Sequence, residues 1–114
     1  MGYPTTLLDE AIEKNRKNQE KQRQKIMEII THVLDDLSGE VDFKEAYLFG
    51  SITKPFRFSE KSDIDIGFLG LSDRDFFKAM SIISKKTGFD VDLVQLEGHR
   101  LKEKIVREGT KWKR

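Results

Sequence analysis

Three carboxylates and one glycine-serine pair are the residues best suited to chemistry in this chain. Gly50-Ser51 closes a short apolar run, and Ser62-Asp63-Ile64-Asp65-Ile66 follows about a dozen residues later. Residues two apart on a strand point to the same side, so Asp63 and Asp65 project from one face, about 7 Å apart at Cα. Carboxylates so placed hold one divalent ion or bridge two ions roughly 3.5–4 Å apart. A third acid, Asp92, lies in Phe89-Asp90-Val91-Asp92-Leu93-Val94, also strand-like. Gly50 can take a positive φ and lets a phosphate come close to the backbone, while Ser51 adds a hydroxyl and its own N–H. A donor-rich turn for a triphosphate, two acids for Mg²⁺ and one more for a base make a phosphoryl- or nucleotidyl-transfer site.

Each piece taken singly has a plainer reading. Gly-Ser commonly ends a strand, and exposed strand faces often carry acids. Their combination is what tips the balance. Two neighbouring acids repel, and Asp is a poor strand former, so local preference runs against the inferred structure. Such conflicts are expected at functional sites.

The elements that must position these residues follow from periodicity. Residues 6–38 contain neither Gly nor Pro, and Ile26, Met27, Ile29, Ile30, Val33, Leu34 and Leu37 recur at helical spacing. One long or two-part helix is predicted there, stopping at Ser38-Gly39, its middle solvated because residues 13–25 include no apolar side chain. Ala46–Phe49 reads as a buried strand, and residues 52–62, with Pro55, as a loop. Ile64, Ile66 and Phe68 alternate with Asp63, Asp65 and Gly67, the period of a two-faced strand. Ser72 caps a helix that ends at Gly88, with Phe76, Phe77, Ala79, Met80, Ile82 and Ile83 inward. Residues 89–96 form a third strand. A last helix spans 98–108, with Leu101, Ile105 and Val106 inward and Gly109 as its stop. The fold class is α+β: a small mixed sheet of three or four strands with helices packed on it. Residues 1–40 form the long N-terminal helical segment and 41–114 the core, together one domain.

Composition narrows the function. The chain has 114 residues and a net charge of +1, which argues against a dedicated DNA-binding protein. Zero cysteines exclude disulfides and thiolate metal sites and suit a reducing cytoplasm. No apolar stretch approaches the ~18 residues needed to cross a bilayer, and the N-terminus lacks a signal-peptide layout. A soluble cytoplasmic domain without membrane contact is expected. His32 and His99 lack partner spacing for zinc or a triad, and Ser51 lacks a His-Asp relay.

Leu48-Phe49-Gly50-Ser51, then Ser62-Asp63-Ile64-Asp65-Ile66, then Val91-Asp92-Leu93-Val94 resemble the minimal nucleotidyltransferases of the polymerase-beta superfamily. Their pattern is a hydrophobic strand, Gly-Ser, roughly ten residues, Asp-x-Asp, and a third Asp in a later strand. The likeness covers residues 46–109 and extends to the tail, where Arg107-Glu108-Gly109 precedes an aromatic, Trp112. The chain departs from the pattern in its longer, more polar first helix. It also has Ile-Thr-Lys-Pro where Arg-x-x-Gly often follows Gly-Ser, which leaves Lys54 or Arg57 to meet the phosphates.

The resemblance implies a polymerase-beta-like nucleotidyltransferase fold and a site in which Gly50 and Ser51 hold the triphosphate. Asp63 and Asp65 would bind two Mg²⁺. Asp92 would join one metal and help deprotonate an acceptor hydroxyl, with Asp90 on the same strand face as its rival. The implied reaction moves AMP from ATP. At this size the acceptor is expected on a partner. In the family that partner is usually an all-helical HEPN protein, in some pairs a toxin whose tyrosine receives AMP and is silenced by an antitoxin. Two other functions stand beside this one. The first is a non-catalytic antitoxin or scaffold that only masks its partner. The second is an RNA-modifying transferase whose Lys14, Arg16, Lys17 and Lys21 touch phosphates. The long helix is also a candidate surface for a homodimer.

Overall fold

The structure, a computed structural model, describes residues 5–54 and 63–112, and the side chains from Lys17 onward apart from Gln19. Helix α1 runs unbroken over Thr5–Ser38, in one piece and with nearly the expected bounds. Its 34 residues extend about 51 Å at 1.5 Å per residue. Ile30, Val33, Leu34 and Leu37, spaced to share one stripe, are all buried. The expected solvation of its middle holds for Lys17, Lys21, Gln24 and Lys25 but fails at Arg23, which is only 9% exposed. Lys14 and Arg16, two cations of the RNA reading, have side chains outside the described set.

Four strands follow: β1 (Glu45–Phe49), β2 (Ile64–Leu69), β3 (Val91–Gln95) and β4 (Thr110–Lys111). They form one sheet in the order β3-β2-β1-β4. β1 is antiparallel to β2 and β4, while β2 and β3 are parallel. The parallel pair needs a crossover, and helix α2 (Asp73–Thr87) supplies it. Alternation divides the sheet's two faces. Ala46, Leu48, Ile64, Ile66, Phe68 and Leu93 join the stripe of α1 and the buried Ala79 and Ile83 of α2 in the main core. Tyr47 and Leu96 pack on the opposite side against Ile105 of helix α3 (Lys102–Glu108).

The helix signals around α2 hold. Ser72 Oγ accepts the Asp75 N–H at 3.3 Å, and Gly88 ends the helix in the left-handed region at φ 73°. Phe77 does not face inward as expected: it is 76% exposed. The stripe that meets α1 and the sheet runs through residues 76, 79, 80 and 83, and residue 77 falls to its side. Leu101 and Val106 are likewise exposed, because α3 is seven residues long, starting at Lys102, and lays only Ile105 on the sheet.

β4 has no apolar signature and was not among the strands assigned from the sequence. It forms because the chain beyond Gly109 returns along β1, where Trp112 N–H donates to Ala46 O at 2.8 Å. Trp112 then fastens the tail to α1. Its ring centroid lies 5.1 Å from that of Phe43, and its indole N–H donates to Asp35 Oδ1 at 2.9 Å.

Ile66 is fully buried at the middle of β2. Ile66→Ala is expected to remove about 3 kcal/mol of stability, lowering the melting temperature by at least about 10 °C. A thermal melt checks this, and a shift of only a degree or two would contradict the central place of β2.

Candidate functional site

The parallel register of β2 on β3 sets Asp65 directly beside Asp92, and the antiparallel register of β1 on β2 sets Phe49 beside Asp65. Ile64 and Ile66 face the main core, so Asp65 points the other way, toward the side on which α3 lies. Asp63 immediately precedes β2. The chain thus brings Asp63, Asp65 and Asp92 to the same end of one sheet face. Asp90 stands just before β3, where its carbonyl accepts the Ile64 N–H at 2.9 Å.

β1 ends in a 3-10 turn, Gly50–Thr53. Gly50 has φ 77°, the left-handed conformation expected of it. A Cβ at Gly50 would run into Asp65 Oδ2. The missing side chain therefore does something not read from the sequence: it lets the Asp65 carboxylate lie against the turn. Turn and acid form one unit.

Asp65 is half-buried, while Asp63 and Asp92 are exposed. Burial, then the neighbouring carboxylates of Asp92 and Asp63, push the Asp65 carboxyl up to about 6. Desolvation and like charge both disfavour its ionised form. A cation at this spot would relieve both.

Among the described residues, no three His, Cys, Asp or Glu side chains stand close enough to make a finished metal cage. Mg²⁺ is commonly held by one or two carboxylates together with substrate phosphates rather than by an all-protein cage. Hard oxygen donors in mutual repulsion suit an ion that arrives with a triphosphate, so the donor set fits Mg²⁺.

Beside the turn lies a cavity of about 320 Å³. Gly50, Thr53 and Lys54 of the turn line it, together with Leu101, Lys104 and Ile105 at and within α3. Lys54 was anticipated from the sequence. Lys104 was not, because nothing in its neighbours tells that α3 folds back toward Gly50. Arg57 and Ser62 lie outside the described residues. His99 Nδ1 accepts the Leu101 N–H at 3.1 Å, a local turn contact, and His32 is exposed on α1.

Arg23 was also missed. Its Nη1 donates to Ile52 O, inside the Gly50–Thr53 turn, at 2.8 Å. Nε and Nη2 donate to Glu20. The only sequence signal was a Glu–Arg pair at i,i+3, common on solvated helices.

A mixed sheet covered by helices, a glycine turn after β1 and acids at the entry of β2 and on β3 define a nucleotidyltransferase-type domain. The sequence model of the polymerase beta nucleotidyltransferase family matches residues 28–111, and the chain belongs to that family. Two solved structures share the fold. One is a crystal structure of a toxin–antitoxin with AMP-PNP: TM-score 0.61, 24% identity, covering 73% of this chain and 72% of that one. The other is described as a minimal nucleotidyltransferase: TM-score 0.56, 21% identity, covering 82% of this chain and 92% of that one. No curated protein matches the chain. Among the described residues, no helix is long and apolar enough to cross a membrane.

Proposed function

We propose that this chain is a Mg²⁺-dependent nucleotidyltransferase that moves AMP from ATP to a hydroxyl on a partner protein. The observation that carries the reading is the contact of the Gly50 turn with Asp65, itself in register with Asp92. Gly50 and Ser51 hold the triphosphate by backbone N–H groups and hydroxyl. Asp63, Asp65 and Asp92 hold the two Mg²⁺. When bound, the metal supplies positive charge to the phosphates and lowers the pKa of the acceptor hydroxyl. Asp92, exposed beside Asp65, takes the hydroxyl's proton; its register with Asp65 on the neighbouring strand favours it over Asp90 as the third carboxylate. The acceptor oxygen then bonds to the α-phosphorus, and the bond to the β-phosphate's bridging oxygen breaks to release pyrophosphate. The chain's main task is to hold these parts in line.

Lys54 and Lys104, both lining the cavity, meet the negative charge of the β- and γ-phosphates in place of the arginine that often follows Gly-Ser. The AMP-PNP complex of the toxin–antitoxin relative supports an adenine nucleotide as donor and a toxin as partner. The acceptor that fits best is a tyrosine of an all-helical HEPN toxin, with this chain as its antitoxin in the cytoplasm.

The test is transfer of label from ATP marked at the α-phosphate to the partner, in Mg²⁺ and in chelator. Label should appear on a partner tyrosine only with Mg²⁺. Lys104→Ala should raise KM for ATP about tenfold, the size of one lost charge-assisted contact, with AMP binding unchanged. If the partner is bound and neutralised without ever acquiring label, the chain is a masking module and the transferase reading is wrong.

A further inference from the structure

Arg23 is the one buried charged side chain among the described residues, and it sits in the most polar stretch of α1. A charge leaves water at a considerable free-energy cost unless it is paired and hydrogen-bonded. Arg23 is both. Glu20 accepts from Nε at 3.1 and 3.0 Å and also from Nη2, leaving Nη1 for the Ile52 carbonyl at 2.8 Å, 29 residues away in sequence. The Met27 sulfur lies 3.3 Å from the same Nη1. Glu20 both orients and neutralises the guanidinium, so Arg23 is not a free cation waiting for phosphate.

What it holds is the turn. Three consecutive carbonyls there are each engaged. Thr53 Oγ1 donates to Gly50 O at 2.7 Å, Lys54 N–H to Ser51 O at 3.1 Å, and Arg23 to Ile52 O at 2.8 Å. The first two bonds are local, made by the turn and the residue that follows it. The third comes from another element, while the Ile52 side chain is fully buried in the main core. A short 3-10 turn has poor hydrogen-bond geometry and readily rearranges. Drawing one carbonyl toward a fixed cation aligns that peptide and keeps its negative end away from an incoming anion.

We propose that Arg23 is a positioning residue: from the long helix it locks the Gly50–Thr53 turn, through the Ile52 carbonyl, in the conformation that receives a nucleoside triphosphate. The role rests on the nucleotidyltransferase reading of the same turn. Arg23 lies just N-terminal to the apolar stripe of α1 that packs on the core.

Two measurements on Arg23→Met and Arg23→Lys test this: titration with ATP in Mg²⁺, and amide hydrogen exchange at residues 51–54. Methionine keeps the apolar stem and loses every donor. It should weaken ATP binding about tenfold, as expected when a binding element is left imprecisely placed, and speed exchange in the turn. Adenosine binding should change little. Lysine, which can still reach the carbonyl with one donor, should recover most of the affinity and covers the case in which methionine fails to fold. Wild-type ATP affinity in a folded Arg23→Met variant, whatever its melting temperature, would reduce Arg23 to a helix anchor and overturn the proposal. If wild-type protein binds no nucleoside triphosphate, the transferase reading falls. Exchange then judges the latch alone, and unchanged protection in the variant overturns that as well.

Discussion

Asp65→Asn is expected to abolish AMP transfer and, in the same protein, to raise stability at neutral pH when no metal is present. The activity loss should be about 10³-fold or more, because on the proposed mechanism the variant loses a carboxylate that would hold Mg²⁺ against the reacting phosphates. The stability gain follows from the environment of the carboxyl. Its ordinary value is 3.8, and burial with the Asp92 and Asp63 carboxylates raises it to about 6 in the folded chain. Between those values the native state binds more protons than the unfolded state, so stability falls as pH rises from about 4 to about 6 and is level above. At neutral pH the full penalty applies. A shift of that size corresponds to up to about 3 kcal/mol. Asp65 is only half-buried, so screening reduces this to about 1 kcal/mol.

Asparagine keeps the shape and removes the charge. Its melting temperature in chelator should therefore exceed that of the wild type at pH 7.5, and the two should converge near pH 4. With Mg²⁺ and ATP the order should reverse, since only the wild type gains stability by binding. Residues kept for function at the expense of stability behave in this way. A variant less stable than wild type at pH 7.5 in chelator would show that the Asp65 carboxylate is structurally satisfied and not waiting for a cation.

Gly50→Ala should produce the second large effect. At φ 77° an L-residue carries a backbone penalty of about 1–2 kcal/mol. The added methyl would also strike Asp65 Oδ2, so either the turn or the carboxylate must move. The melting temperature should drop by roughly 5–10 °C, with transfer falling about 10²-fold, the scale of a 1 Å misplacement near the reacting atoms. The collision itself can be isolated. In a double-mutant cycle with Asp65→Ala, shortening the acid should return part of the stability lost at Gly50, giving a coupling of about 1 kcal/mol. Strict additivity would mean that the glycine serves its backbone conformation only and that turn and acid are independent.

The amino-acid sequence by itself determined the elements and the kind of chemistry they carry. A long run without Gly or Pro and an apolar stripe at helical spacing marked α1; alternation at Ile64, Ile66 and Phe68 marked β2; Ser72 and Gly88 bracketed α2. Each of these signals lies within a few residues of what it specifies, as do Gly-Ser and Asp-x-Asp. Tertiary structure decided the rest, because the relevant partners are far apart in the chain. Phe77, Leu101 and Val106 are apolar enough for a core, but short helices have one inward stripe, and docking chose which residues occupy it. β4 exists only because β1 has a free edge for the tail to pair with. Nothing near residue 50 indicates that Asp65 will rest where a Cβ would stand, or that Asp92 will lie beside it through a parallel register. Arg23 looked like one more solvated cation. Only packing of α1 against the main core brings it to the Ile52 carbonyl.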